Sequence, residues 1–294
     1  PDPSRAGQSW RRGQAAQAPP RPVPREFGAG SHVDRLWLRA AALRPGCPLV
    51  CVSSADGGVG RSTLTVALGG VLALAVPVPV VAVDATHRAW GGLEHRVVRS
   101  SPATLWDAVL AGDTLGDASV VERLAQVGPT GLRVLVGESK WTAQRRPPTW
   151  SELFGVVGHL RDAYALALLD LPPADTASAW RALGWATVPM FVARASVESL
   201  QHTMRLLTQL RAVGLTEVVQ ESVLAVMATS HSTAREVRAV EQMARQSVGH
   251  LVRVPYDPVL ARPDPVDLRS LSKLTRSALV EVAAAVIDRC PVDL

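Results

Sequence analysis

The sequence predicts an α/β fold, a mostly parallel, doubly wound sheet of about seven strands flanked by helices. Three observations predict it. Short apolar runs alternate with longer segments of helical period. The runs are apolar at nearly every position, the pattern of strands covered on both faces. A glycine-rich stretch joins the first run to an apolar helical segment, an arrangement typical of parallel strand–helix units.

Strands are expected at 49–53, 79–84, 132–136, 164–170, 187–193, 222–228 and 250–255. Helices are expected at 62–75, 102–111, 117–126, 151–162, 175–184, 195–213, 232–247 and 268–289, with a short lead-in helix at 33–43. Residues 137–150 read as a loop, because Arg145-Arg146-Pro147-Pro148 does not continue a helix. In such a sheet, ligands bind beyond the carboxyl ends of the strands. The loop 54–61 and the residues after 79–84 and 164–170 are therefore expected at one edge.

The chain has 294 residues, enough for one domain of about 250 residues plus a tail. We divide it into a Pro/Arg-rich tail with its lead-in helix, 1–45, and a domain, 46–294. The first 30 residues show no apolar period and read as disordered. Residues 1–45 carry eight arginines against Asp2, Glu26 and Asp34, so the whole net charge of +5 lies there. The domain itself is neutral, which argues against a broad nucleic-acid footprint. The tail could meet a protein partner, acidic lipid or nucleic acid, the last weakly supported; a solvated linker is the plainer reading. Only Lys140 and Lys273 are lysines, against 29 arginines, so arginine replaces lysine chain-wide.

Cys47, Cys51 and Cys290 have no metal spacing and read as buried free thiols in a reducing, cytoplasmic setting. Residues 62–83 are 22 uncharged positions, long enough to cross a bilayer. Gly69-Gly70, Pro77 and Pro79 interrupt them, and a buried helix followed by a buried strand explains the same hydropathy. No integral membrane segment is expected.

The candidate site begins with Ser53-Ser54-Ala55-Asp56-Gly57-Gly58-Val59-Gly60-Arg61-Ser62-Thr63. Glycines let backbone N–H groups turn toward an anion, and a helix N-terminus adds partial positive charge. A hydroxyl in the first helical turn, Ser62, can hold Mg²⁺. Two strands end in acids, Val80-Val81-Ala82-Val83-Asp84 and Leu166-Ala167-Leu168-Leu169-Asp170. An acid leaving a buried strand either caps a turn or faces a ligand.

The loop resembles the deviant Walker A motif of the MinD/ParA P-loop ATPases, K-G-G-V-G-K-[ST]-T. Asp84-Ala85-Thr86 resembles the family's D-x-D, Trp90-Gly91-Gly92-Leu93-Glu94 a G-G-L-D stretch of its septum-site and pilus-positioning branch, and Asp170-Leu171-Pro172 its D-x-P. Val252-Arg253-Val254-Pro255-Tyr256-Asp257-Pro258 resembles a late loop of actinobacterial MinD-like proteins, which lies over the base. The resemblance covers roughly residues 46–290.

The resemblance implies ATP or ADP held by Gly57, Gly58, Val59, Gly60, Arg61, Ser62, Thr63, Pro255 and Tyr256, and Mg²⁺ at Ser62, Asp84 and Asp170. It implies a homodimer that clamps nucleotide, in which the family's signature lysine reaches the partner's phosphates. Asp56 stands where that lysine belongs, Arg61 where the phosphate lysine belongs, and Thr86 where the second acid belongs. Met227 or Ala228 stands where a base-reading Asn is expected, and neither can supply its hydrogen bonds. Asp56 would oppose a phosphate by up to about 4 kcal/mol at ~4 Å, or else turn away and pair with Arg61 or another arginine. Whether the chain is an ATPase is open on these residues. Two functions follow: a nucleotide-binding protein of weak or absent hydrolysis that organises a septum, partition, pilus or secretion cargo, or a pseudo-ATPase that recruits protein partners without turnover. A membrane-surface adaptor ranks last, since the C-terminal helix lacks a basic amphipathic face.

Overall fold

A computed structural model describes residues 21–27, 30–43, 48–86, 92–138, 145–231 and 234–290. Its strands are β1 (Leu49–Ser53), β2 (Val80–Asp84), β3 (Gln126–Val127), β4 (Arg133–Leu135), β5 (Leu166–Asp170), β6 (Val188–Arg194), β7 (Val223–Met227) and β8 (His250–Val254). They form one sheet in the order β3-β4-β2-β5-β1-β6-β7-β8. Every pairing is parallel except β3 with β4. The sheet thus has eight strands, one more than expected. The additional strand, β3, is two residues long and carries no alternation of its own. It is fixed by its antiparallel partner and by the buried Gln126 amide, which binds the backbone of Ser100 and Ser101.

The period of two sorts the strand residues between two cores. Val50, Val52, Ala82, Leu166 and Leu168 face one side, where α1 (Ser31–Ala40), α2 (Arg61–Ala75) and α11 (Lys273–Ile287) cover them. Cys51, Val81, Val83, Ala167 and Leu169 face the other, under α5 (Trp150–Ala163), α6 (Ala177–Gly184) and α7 (Val197–Ala212). The remaining helices complete the layers: α3 (Leu105–Ala111), α4 (Ala118–Leu124), α8 (Thr216–Gln220), α9 (Arg235–Arg245) and α10 (Pro258–Ala261).

The uncharged stretch 62–83 is α2 and β2. α2 has 15 residues, buried nearly all round, well short of the ~20 that a bilayer requires. Among the described residues no helix is long and apolar enough to cross a membrane. The lead-in helix is α1, packed on α11, with Trp37 among its buried residues. Cys51 and Cys290 are buried thiols; burial pushes the Cys51 thiol far up. Cys47, Trp90 and residues 1–20 lie outside the described residues.

Candidate nucleotide site

The loop between β1 and α2 is shaped by two left-handed residues, Gly58 at φ 69° and Gly60 at φ 91°, a region that side chains other than glycine rarely adopt. Val59 between them is buried among the α2–α11 core residues and anchors the loop. Gly60 is the N-cap of α2 and supplies no side-chain cap. The first amides of α2 therefore lack a side-chain partner at this end. The loop and the start of α2 line a cavity of about 460 Å³, with Gly58 to Thr63, Met227, Pro255 and Tyr256 among its lining residues.

Asp56 does not enter that cavity. Its carboxylate turns to α7, accepting from Ser199 Oγ at 2.8 Å and meeting His202 Nδ1 at 2.7 Å. It turns away, as one sequence alternative had it, but its partners are a serine and a histidine rather than an arginine. The repulsion expected against a phosphate is relieved by this orientation.

Arg61 is also engaged. Its Nη1 donates to Ser54 Oγ at 2.5 Å, and its Nε lies 3.4 Å from Asp170 Oδ1 in a buried ion pair. Ser62 Oγ donates to Asp170 Oδ2 at 2.5 Å. Asp84 and Asp170 are register partners on adjacent strands, both buried. Asp84 accepts from the Thr86 N–H and hydroxyl at 3.2 and 2.6 Å and from the Leu93 N–H at 3.4 Å. Burial raises the Asp84 carboxyl, against these hydrogen bonds. Burial pushes Asp170 up to about 7, with Arg61 pulling down and Asp84 pushing up. The loop 54–61 and the two strand ends thus meet at one edge, as expected. Gly92 closes over the set: a Cβ there would collide with Ser62 Oγ and stand 2.9 Å from Ser62 Cβ.

These residues fit a hard cation. The donors are one hydroxyl and two carboxylates, all oxygen. Two buried acids face a single arginine, and Asp170 Oδ1 has no hydrogen-bond partner. Among the described residues no cluster of three His, Cys, Asp or Glu could hold a metal alone. A bound cation would therefore draw further oxygens from water or ligand.

Thr86 donates its hydroxyl to Asp84 and so points inward. Tyr256 meets His231 edge-on, ring centres 4.9 Å apart. Ser199, His202, Arg194, His95 and Arg96 were not singled out from sequence; the last three line the cavity. Only the position of Arg194, at the carboxyl end of an expected strand, offered a signal.

No family model matches the chain. Two curated relatives match, the ESX-1 secretion-associated protein EspI of Mycobacterium tuberculosis strains CDC 1551 and H37Rv. Each is 28% identical over 247 residues, 81% of this chain and 36% of the relative. The chain thus spans little more than a third of the length of the relatives it matches. Among solved structures, the septum site-determining protein MinD of Pyrococcus horikoshii, complexed with Mg-ADP, superposes with TM-score 0.56 at 20% identity, covering 81% of this chain and 94% of that one. A ParA family ATPase from Chlorobium tepidum gives 0.57 at 17% identity, covering 81% and 98%. MinD of Pyrococcus furiosus gives 0.56 at 22%, covering 81% and 97%. The chain has the MinD/ParA P-loop ATPase fold.

Proposed function

We propose, from that fold, that the chain binds ATP or ADP with Mg²⁺ at the loop 54–63 and turns it over slowly or not at all. The carrying observation is the cavity itself. It is open from the uncapped start of α2 to Pro255 and Tyr256, and the Asp56 carboxylate is outside it. Gly57, Gly58, Val59 and Gly60 shape the cradle by backbone, with Arg61, Ser62 and Thr63 opening the helix. Tyr256 and Pro255 form the wall for the base, with Met227 and Ala228 giving it apolar contact but no amide to read it.

Ser62, Asp84 and Asp170 would hold Mg²⁺, which when bound neutralises phosphate charge. Weak turnover follows from Thr86, whose hydroxyl is committed to Asp84 and cannot accept a proton as a carboxylate can. The proposed role is to organise or regulate a cellular cargo through a protein partner, and the name of the EspI relatives favours a secretion-related one. The second reading, a pseudo-ATPase binding module, is favoured by the Arg61–Asp170–Ser62 set, in which the arginine and the hydroxyl already meet the acid without ligand.

Calorimetry of the purified chain with ADP, with and without Mg²⁺, tests the proposal. Binding is expected, stronger with Mg²⁺. Ser62→Ala is expected to remove most of the Mg²⁺-dependent gain, about tenfold, while leaving Mg²⁺-free binding. Silence with ADP and with ATP, each with and without Mg²⁺, would leave only the binding-module reading. A fast turnover with Mg-ATP would overturn the inference drawn from Thr86.

A Gly60→Val substitution gives a second check. It forces a β-branched residue to φ 91° with Met227 side-chain atoms 3.6 Å from its Cβ. Nucleotide affinity is expected to fall at least tenfold, read by the same titration.

A further inference from the structure

We infer that Arg194 is the cation that engages the ligand's phosphates, in place of the charged side chains of the loop. This deepens the nucleotide reading of the same cavity and rests on it.

The loop offers its cavity no available charge. Asp56 is tied to α7, and Arg61 is committed to Ser54 and to the buried Asp170. An anionic ligand of two or three phosphates still needs positive charge nearby. Two other arginines line the cavity, Arg96 and Arg194. Arg96 is partly buried and its Nη1 donates to the Arg262 carbonyl. The Arg194 side chain makes no hydrogen bond or ion pair among the described residues, yet lines the same cavity as Arg61 and Ser62.

The backbone under Arg194 is firmly held. It is the last residue of β6, in register with Met227. Its N–H donates to Ser199 Oγ at 3.1 Å, and its carbonyl accepts from the Ser196 N–H at 2.8 Å. The same Ser199 hydroxyl donates to Asp56. The acid at position 56 therefore ties the glycine loop to the turn that carries Arg194. One charge reversal on the loop removes a cation there and fixes a strand end that presents another. A guanidinium suits this place, because its planar fork can bond two phosphate oxygens at once.

The test is titration of Mg-ADP and of adenosine into wild type, Arg194→Ala and Arg194→Lys, at low and moderate salt. Arg194→Ala is expected to bind Mg-ADP at least about tenfold more weakly. Adenosine affinity should be unchanged, and the salt dependence of Mg-ADP binding should flatten. Arg194→Lys should fall between. A matching thermal melt shows that the fold is kept, as expected for an exposed side chain. Unchanged Mg-ADP affinity in Arg194→Ala, with wild type binding, overturns this inference and leaves the nucleotide reading standing. So does an equal loss for adenosine and Mg-ADP. Wild type that binds neither overturns both.

Discussion

Arg61→Ala is expected to destabilise the protein by about 3 kcal/mol, the lower end for removing one partner of a buried ion pair. For a chain of this size that is on the order of 6–12 °C in melting temperature. The reason lies in Asp170. It is fully buried on a central strand, next to Asp84, and Arg61 is the cation placed against it. Without Arg61, two carboxylates share a low-dielectric site with no counter-charge. Protonation of Asp170, already pushed up to about 7, limits the loss. The pair Arg61→Met with Asp170→Asn should recover most of the stability, because a neutral set needs no buried charge. Urea unfolding of Arg61→Met, Asp170→Asn and the double variant reads the coupling. Additive losses would mean that Arg61 and Asp170 act independently and that Arg61 is available to a ligand.

The outcome also bears on chemistry. An arginine that holds a strand-end acid in the free protein must leave it, at least in part, before it can reach a phosphate. That competition lowers affinity by whatever the ion pair contributes. An arginine held back from the phosphates also stabilises transferred charge less, a basis for the slow turnover proposed above that is separate from the Thr86 replacement.

Much of this was legible in the sequence because it is local. Strands in the sheet interior are continuous apolar runs, and two of them stop at an acid at the carboxyl edge of the sheet; Asp84 and Asp170 could be placed on that basis. The glycine loop could be placed because left-handed φ at positions 58 and 60 demands residues without a Cβ. What could not be read depends on distant residues. The direction of Asp56 is set by Ser199 and His202, 143 and 146 positions away. Arg194 stands at the carboxyl edge whether β6 ends at 193 or 194, but nothing local to it marks it off from the other arginines of the chain. β3 exists only because β4 lies beside it. α10 is four residues started by the Asp257 cap and Pro258, too short to show a period.

Trp37→Ala is expected to cost about 3–5 kcal/mol, the range for truncating a large buried aromatic, or on the order of 6–20 °C in melting temperature. The lead-in helix could be read as an appendage, since α1 carries exposed arginines and follows a Pro/Arg-rich stretch. Its inner face says otherwise. Trp37 is 1% exposed and Phe27 fully buried, with ring centres 5.3 Å apart. The Trp37 indole N–H donates to the Arg21 carbonyl at 2.8 Å, and Arg21 Nη1 donates to the Ala73 carbonyl at 3.1 Å. Ala73 lies in the last turn of α2, the helix whose first turn shapes the phosphate cradle. The aromatic pair therefore braces the far end of that helix through a chain of two hydrogen bonds. Loss at Trp37 should appear first as a lower melting temperature with ligand-binding stoichiometry retained at 10 °C. A truncation beginning at residue 46 should behave worse than Trp37→Ala, because it uncovers the α11 and α2 surfaces as well. A truncated chain that melts like the full one would show that α1 contributes nothing to the core it covers.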